Sequence, residues 1–217
     1  LLDAAWMSLK IAFLTACMSL LMGMLASLAL VRLGRFRGKM SFAGMITAPL
    51  VMPEVITGLS LLLLFVAMEK SFGWPGGRGM LTIWIAHVTF STAFVTVILS
   101  SRLKEIDRSL EEAGMDLGAS PLKVFFVITI PIITPALLAA WLLAFTLSLD
   151  DIVIASFVSG PGSTTLPMKV FSSVRLGISP KINALASIII ALVSLGVLTA
   201  GWIVRGWESK KTMGISQ

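Results

Sequence analysis

Apolar residues in this chain do not alternate with polar ones; they run in long blocks separated by short polar segments. A helix needs roughly 20 apolar residues to cross ~30 Å of hydrocarbon. Five blocks reach that length, at 6–31, 42–68, 80–101, 124 to about 158, and 183–204. The fourth is too long for one straight crossing. It holds Pro131 and Pro135, which remove helix hydrogen bonds, so its first part is expected to be a cytoplasmic or interfacial helix leading into the membrane. The pattern predicts an all-α, polytopic transmembrane helix bundle, one domain over residues 1–217.

Composition agrees: 57% of residues are hydrophobic and 13% charged, and the mean hydropathy is +0.97. A water-soluble domain of this size would need charges on every side, whereas here they cluster in a few connections. The lipid bilayer is therefore the expected surroundings. The net charge of +6 comes without a basic stripe interleaved with aromatics, so nucleic acid is not expected as a partner.

Lys and Arg instead set an orientation, because cytoplasmic loops are enriched in them. Eleven fall on one side, in Arg32–Lys39, Arg102–Lys123 and Arg205–Lys211, and six on the other: Lys10, Lys70, Arg78, Lys169, Arg175 and Lys181. The richer side should be cytoplasmic, which places Leu1 outside and the Gln217 end inside. Five crossings from an external start lead us to expect an earlier one ahead of Leu1, and no signal-peptide pattern is visible. Trp74 and Trp84 beside the outer loop, and Trp202 and Trp207 at the inner end of the last span, suit interface anchors. The lone Cys17 permits no internal disulfide.

Between the third and fourth spans lies a polar segment, about 102–123, with helix punctuation. Residues 108–117 suit a short helix, Gly118 can take the left-handed conformation that ends one, and Ser120-Pro121 reads as an N-cap followed by a first-turn proline. Two short helices meeting at a glycine turn would make an elbow able to sit in a cleft of another protein.

Glu112-Ala113-Gly114, then Gly118, then Ile128-Thr129-Ile130-Pro131 resemble the Glu-Ala-Ala loop of binding-protein-dependent ABC importer permeases, departing from it at Gly114 for Ala and at Ile130 for Leu. The resemblance implies the MetI-like permease fold and makes this segment the coupling loop that docks on a separate ATPase subunit. It would use Glu111 or Glu112 toward basic groups, with Ala113, Gly114, Gly118, Ser120 and Pro121 forming the turn. ATP and Mg would be bound by that ATPase, and none in this chain. The sequence itself holds no Gly-x-x-x-x-Gly-Lys-Ser/Thr loop; Gly34 to Met40 has the wrong spacing.

Carboxylates inside apolar spans cost about 2.5–3.5 kcal/mol at a helix centre on insertion scales, so they are functional candidates. Glu54 lies near the middle of the second block, after Pro49 and Pro53; Asp150 and Asp151 lie in the outer half of the fourth, with no Lys or Arg nearby in their own helix. The stretches around them, 48–58 and 145–162, resemble those of polyamine permeases. That resemblance implies a di- or polycation as cargo, putrescine first, delivered by a periplasmic substrate-binding protein. It also implies a pathway shared with a second homologous permease subunit in the bacterial inner membrane. Glu54, Asp150 and Asp151 are the candidates to line that pathway, with helix capping, subunit pairing or gating as the competing roles.

Gly160, Pro161, Gly162 and Pro167 make the last outer segment irregular, suited to a gate, a receptor contact or a plain connection. His87 has no second His or Cys at ligand spacing, so a packed, hydrogen-bonded histidine is expected and no metal site. No nucleophile, base and orienting group can be assembled, so catalysis in this chain is not expected. The rival class is an ion-gradient-driven secondary transporter of organic cations, whose interrupted helices the proline-rich second and fourth blocks would suit.

Overall fold

Small residues on one face decide how the first helix packs. A computed structural model describes residues 1–34 and 36–175, together with 184, 187, 188 and 191. In it α1 (Leu2–Val31) buries Ala12, Ala16, Ser19, Gly23 and Ser27, a stripe that lets backbones approach closely where lipid offers no hydrophobic drive for helix association. Its main neighbour is α4 (Met80–Glu105). At Gly23 even a β-carbon would stand 2.5 Å from Val95 Cγ1. The stripe leaves Phe13, Leu14, Leu21 and Leu25 on the outside, where apolar side chains belong only if lipid or another subunit surrounds them.

The second apolar block is two helices, α2 (Lys39–Val51) and α3 (Glu54–Phe72). Pro53 lacks the N–H to continue the ladder and pushes Met52 into extended backbone, so the chain breaks there. Glu54 accordingly opens α3; it does not sit in the middle of an unbroken span as the sequence pattern suggests. α2 packs on α4, and α3 on α8 (Val153–Val158). At Gly58 a β-carbon would meet Phe157 at 2.7 Å.

After α4 the chain forms α5 (Arg108–Asp116), α6 (Pro121–Val124), a π-helical turn at Phe125–Thr129 and α7 (Ile130–Asp150). Pro131 and Pro135 do not end the helix, which runs from Pro121 to Asp150, but regular α geometry gives way to the π-helical turn just ahead of Pro131. The widened turn, in which Ile130 N–H reaches Phe125 O, is the kind of irregularity at which long helices bend. The interruption lies at Asp151–Ile152, after which α8 and then α9 (Leu166–Arg175) follow.

Among the described residues four helical stretches are long and apolar enough to cross a membrane: Leu2–Val31, Glu54–Phe72, Met80–Glu105 and Pro121–Asp150. Apart from the four positions named, the expected fifth span at 183–204 lies outside the described residues, as do Lys181, Trp202, Arg205, Trp207, Lys210 and Lys211.

The chain divides into two compact units, Leu1–Lys169 and Val170–Gln217. The first has two cores. One, around Ala16, Met24, Val95, Leu99, Ile133 and Ala140, joins α1, α4 and α7. The other, around Ile11, Phe65, Ile83, Phe90 and Ile154, joins α1, α3, α4 and α8. In the second unit the Arg175 guanidinium lies over the Phe171 ring, 5.2 Å from its centroid, a cation–π contact.

Candidate functional site

Local chemistry builds the elbow. Asp107 caps α5, its Oδ1 accepting from Ser109 N–H at 3.0 Å. That bond, donated to the charged form, holds the Asp107 carboxyl below its ordinary value. At the other end Gly118 adopts φ +84°, Ala119 N–H bonds Gly114 O at 3.2 Å and Gly118 N–H bonds Met115 O at 2.8 Å. This paired closure satisfies carbonyls that a helix end leaves open. Ser120 then caps α6, accepting from Lys123 N–H, with Pro121 in the first turn. The turn chemistry is as the sequence predicts, with α5 one residue shorter than 108–117.

Gly114 explains its own departure from the family pattern. A β-carbon there would stand 2.8 Å from Ile128 Cδ1 and 3.2 Å from Val124 Cγ2. At this point α5 rests on the helical segment that returns to the membrane.

Glu111 is not free to meet a partner protein. Its Oε1 accepts from Arg32 Nη2 at 2.9 Å and from Thr129 Oγ1 at 2.8 Å. Arg32 ends α1 and Thr129 precedes α7, so one carboxylate ties α5 to two membrane helices. Arg108 adds a bond to Val31 O at 3.1 Å. The elbow is thus braced on the bundle. Glu112, by contrast, is exposed, as are Ala113, Gly118, Ser120 and Pro121.

The tip of the elbow is apolar. Leu117 is 90% exposed and Leu122 72%, and Leu110 and Met115 are exposed too. Four large apolar side chains thus project from an otherwise polar segment. A sequence reading that weighs charge and turn residues passes over these leucines.

The carboxylates of the membrane region separate into two kinds. Asp151 is nearly buried and fully engaged: Oδ2 meets His87 Nε2 at 3.0 Å and accepts from Ala155 N–H at 2.7 Å, while Oδ1 accepts from Ile154 N–H at 3.2 Å. His87 Nδ1 lies 2.7 Å from Ser148 Oγ. With neutral imidazole, Nε2–H donates to Asp151 and Nδ1 accepts from the serine hydroxyl, so every polar atom of the trio is satisfied. Asp151 therefore caps α8 and locks it to α4, and His87 is the packed, bonded histidine that the sequence predicts. Asp150 and Glu54 both expose their side chains.

Backbone meets backbone at the end of α4 opposite the elbow. Gly160 packs directly on the carbonyl of Arg78, so close that any β-carbon would overlap it. Thr82 Oγ1 donates to Val158 O at 2.7 Å, and Ser163 Oγ both accepts from Gly160 N–H and donates to Gly160 O, each at 2.8 Å. The loop before α4 and the segment after α8 are thereby stitched into one rim.

The family model described as binding-protein-dependent transport system inner membrane component matches residues 19–211. The "Putrescine transport system permease protein PotI" of Escherichia coli (strain K12) is 61% identical over 217 residues, covering 100% of this chain and 77% of that protein. The "Spermidine/putrescine transport system permease protein PotC" of Haemophilus influenzae is 40% identical over 205 residues, 94% of this chain and 77% of that protein. A solved structure, "Crystal structure of an amino acid ABC transporter with histidines", superposes with a TM-score of 0.59 at 20% identity, covering 90% of this chain and 87% of the other. That likeness speaks to the fold alone.

Proposed function

The chain belongs to the family of binding-protein-dependent transport system inner membrane components, and from that premise we propose that it is the membrane-spanning permease subunit of an ATP-binding-cassette importer. Its cargo is a polyamine, putrescine first, moved from periplasm to cytoplasm. The names of the relatives at 61% and 40% identity support that substrate class. A family defined by dependence on a binding protein disfavours the ion-gradient carrier. The chain supplies no catalysis; ATP and Mg are held by a dimer of the partner ATPase.

The observation that carries the mechanical reading is the braced elbow with its apolar tip. Leu117 and Leu122 enter a cleft of the ATPase, and Glu112 meets basic groups on the cleft rim. Motion of that partner passes through Glu111 to α1 and α7 together, so the spans rock as a body. This requires the elbow, and with it the Gln217 end, to lie on the cytoplasmic side, as the distribution of Lys and Arg favours. The outer rim around Gly160 faces the substrate-binding protein, and a second homologous permease completes the pathway.

Within that pathway Asp150 and Glu54 offer carboxylates to a passing cation, while Asp151 positions the turn that presents Asp150. At ~4 Å and an effective dielectric near 20, each carboxylate attracts a unit charge by about 4 kcal/mol before desolvation, enough to offset the insertion cost. The test is uptake of radiolabelled putrescine at matched membrane abundance. Asp150→Asn should raise the KM for loaded binding protein or lower the rate, with the protein still folded; undiminished uptake removes Asp150 from the path. Asp151→Asn should instead lower abundance, because His87 and two backbone amides lose their charged acceptor.

A further inference from the structure

An open cleft of about 830 Å³ lies between the end of α1, α2 and α4, within the size range of small-molecule sites, about 300–1,000 Å³. Its wall is apolar, with Phe36, Met40 and Val97, and its basic end carries Lys39 and Lys104. Lys39 spends one donor on Gly34 O at 2.7 Å, leaving two of its three. Lys104 has no hydrogen-bond or ion-pair partner among the described residues. Ser100 and Ser101 add small polar residues to the same wall.

We propose that this cleft binds one anionic phospholipid of the cytoplasmic leaflet. Its phosphate sits between Lys39 and Lys104, and an acyl chain lies along Met40 and Val97. Three features select this occupant. Two cations at one end of an apolar slot match an anionic head on an apolar tail. Basic pockets between membrane helices on the cytoplasmic side suit anionic lipid heads, and each Lys near such a surface adds about a fivefold affinity. The slot also opens outward from α2, whose Met40 is 89% exposed and so meets whatever surrounds the bundle. The inference takes only the orientation from the proposed function. If it holds, the lipid wedges α2 against α4 on the face of α4 away from α7.

The assembled transporter, reconstituted in phosphatidylcholine nanodiscs, is the test. A phosphatidylglycerol probe with a photoactivatable acyl chain is added at low mole fraction, and adducts are mapped by mass spectrometry. Expected are adducts within residues 36–47 and 96–104, falling tenfold or more in K39Q/K104Q and unaffected by K70Q at the opposite membrane face. A phosphatidylcholine probe should label these segments at least fivefold less.

Equal labelling by both probes, or labelling insensitive to the two lysines, overturns the site. So does a disulfide from Ala43→Cys to the sister permease that fills the slot with protein. Should the double variant not assemble, a salt titration of the native complex decides: labelling that does not weaken between low and high salt overturns the proposal. Co-purification of the ATPase is scored on the same samples. Its absence with labelling intact would sink the transport reading and leave the lipid site standing.

Discussion

Replacing Glu111 by Ala removes the one carboxylate that binds α5 to both α1 and the start of α7. A hydrogen bond to a charged group contributes about 1.5–3 kcal/mol when buried. The Arg32 and Glu111 side chains are 16% and 18% exposed, so screening brings that bond to roughly 1 kcal/mol. The bond from Thr129, which is buried, adds about 1 kcal/mol. Together they make about 2 kcal/mol, or roughly a thirtyfold shift in the local opening of α5.

Amide hydrogen exchange on the reconstituted transporter reads this directly. The amides of 110–117 should exchange about thirtyfold faster in Glu111→Ala, while those around Val95 and Leu99 in the core stay protected. ATP hydrolysis should also lose part of its dependence on loaded binding protein, since the elbow would move without carrying the spans. Adding Arg32→Ala should cost less than on the native background, because the two changes share one interaction. Unchanged exchange in α5, or equal acceleration across the whole bundle, would refute the bracing.

Other outcomes follow from the same geometry. Gly118→Ala forces a side chain into φ +84° and should destabilise the elbow by about 1–2 kcal/mol, read as faster exchange in α5 and less ATPase co-purified; Gly114→Ala should cost about 1 kcal/mol, since the tip of Ile128 and the branched, buried Val124 must both give way. Gly160→Ala should overlap the Arg78 carbonyl and lower the thermal stability of the assembled complex, with uptake falling more than ATPase binding. Asp107, whose carboxyl sits below its ordinary value, contributes a cap present above the unfolded value near 3.9 and lost as pH drops through the lower folded one; protection at the start of α5 should hold from pH 7 to 5, decline below about 4, and lose that dependence in Asp107→Ala.

What the sequence made legible was what neighbours along the chain decide. Span length, the Gly118 turn and the Ser120-Pro121 start all follow from apolar runs or single-residue backbone preferences. The two misplaced breaks are instructive because each involves proline. At Pro53 the apolar residues on both sides mask the end of a helix, whereas at Pro131 the helix continues beyond a π turn. Hydropathy has no term for either. Contacts between distant positions were invisible: Glu111 finds Arg32 across 79 residues, and His87 finds Asp151 across 64. Adjacent carboxylates such as Asp150 and Asp151 look alike in sequence, and only the fold separates the capped one from the exposed one.

What the tip of the elbow touches decides whether an external ATPase drives this bundle. A single cysteine placed by Leu117→Cys, with Cys17 replaced by Ala, would probe it in native membranes. Oxidative or bifunctional cross-linking should join position 117 to the ATPase subunit and arrest uptake, and the thiol should react with impermeant reagents only in inside-out vesicles. Modification of that thiol by an impermeant reagent in intact spheroplasts, with no cross-link to the ATPase, would contradict it.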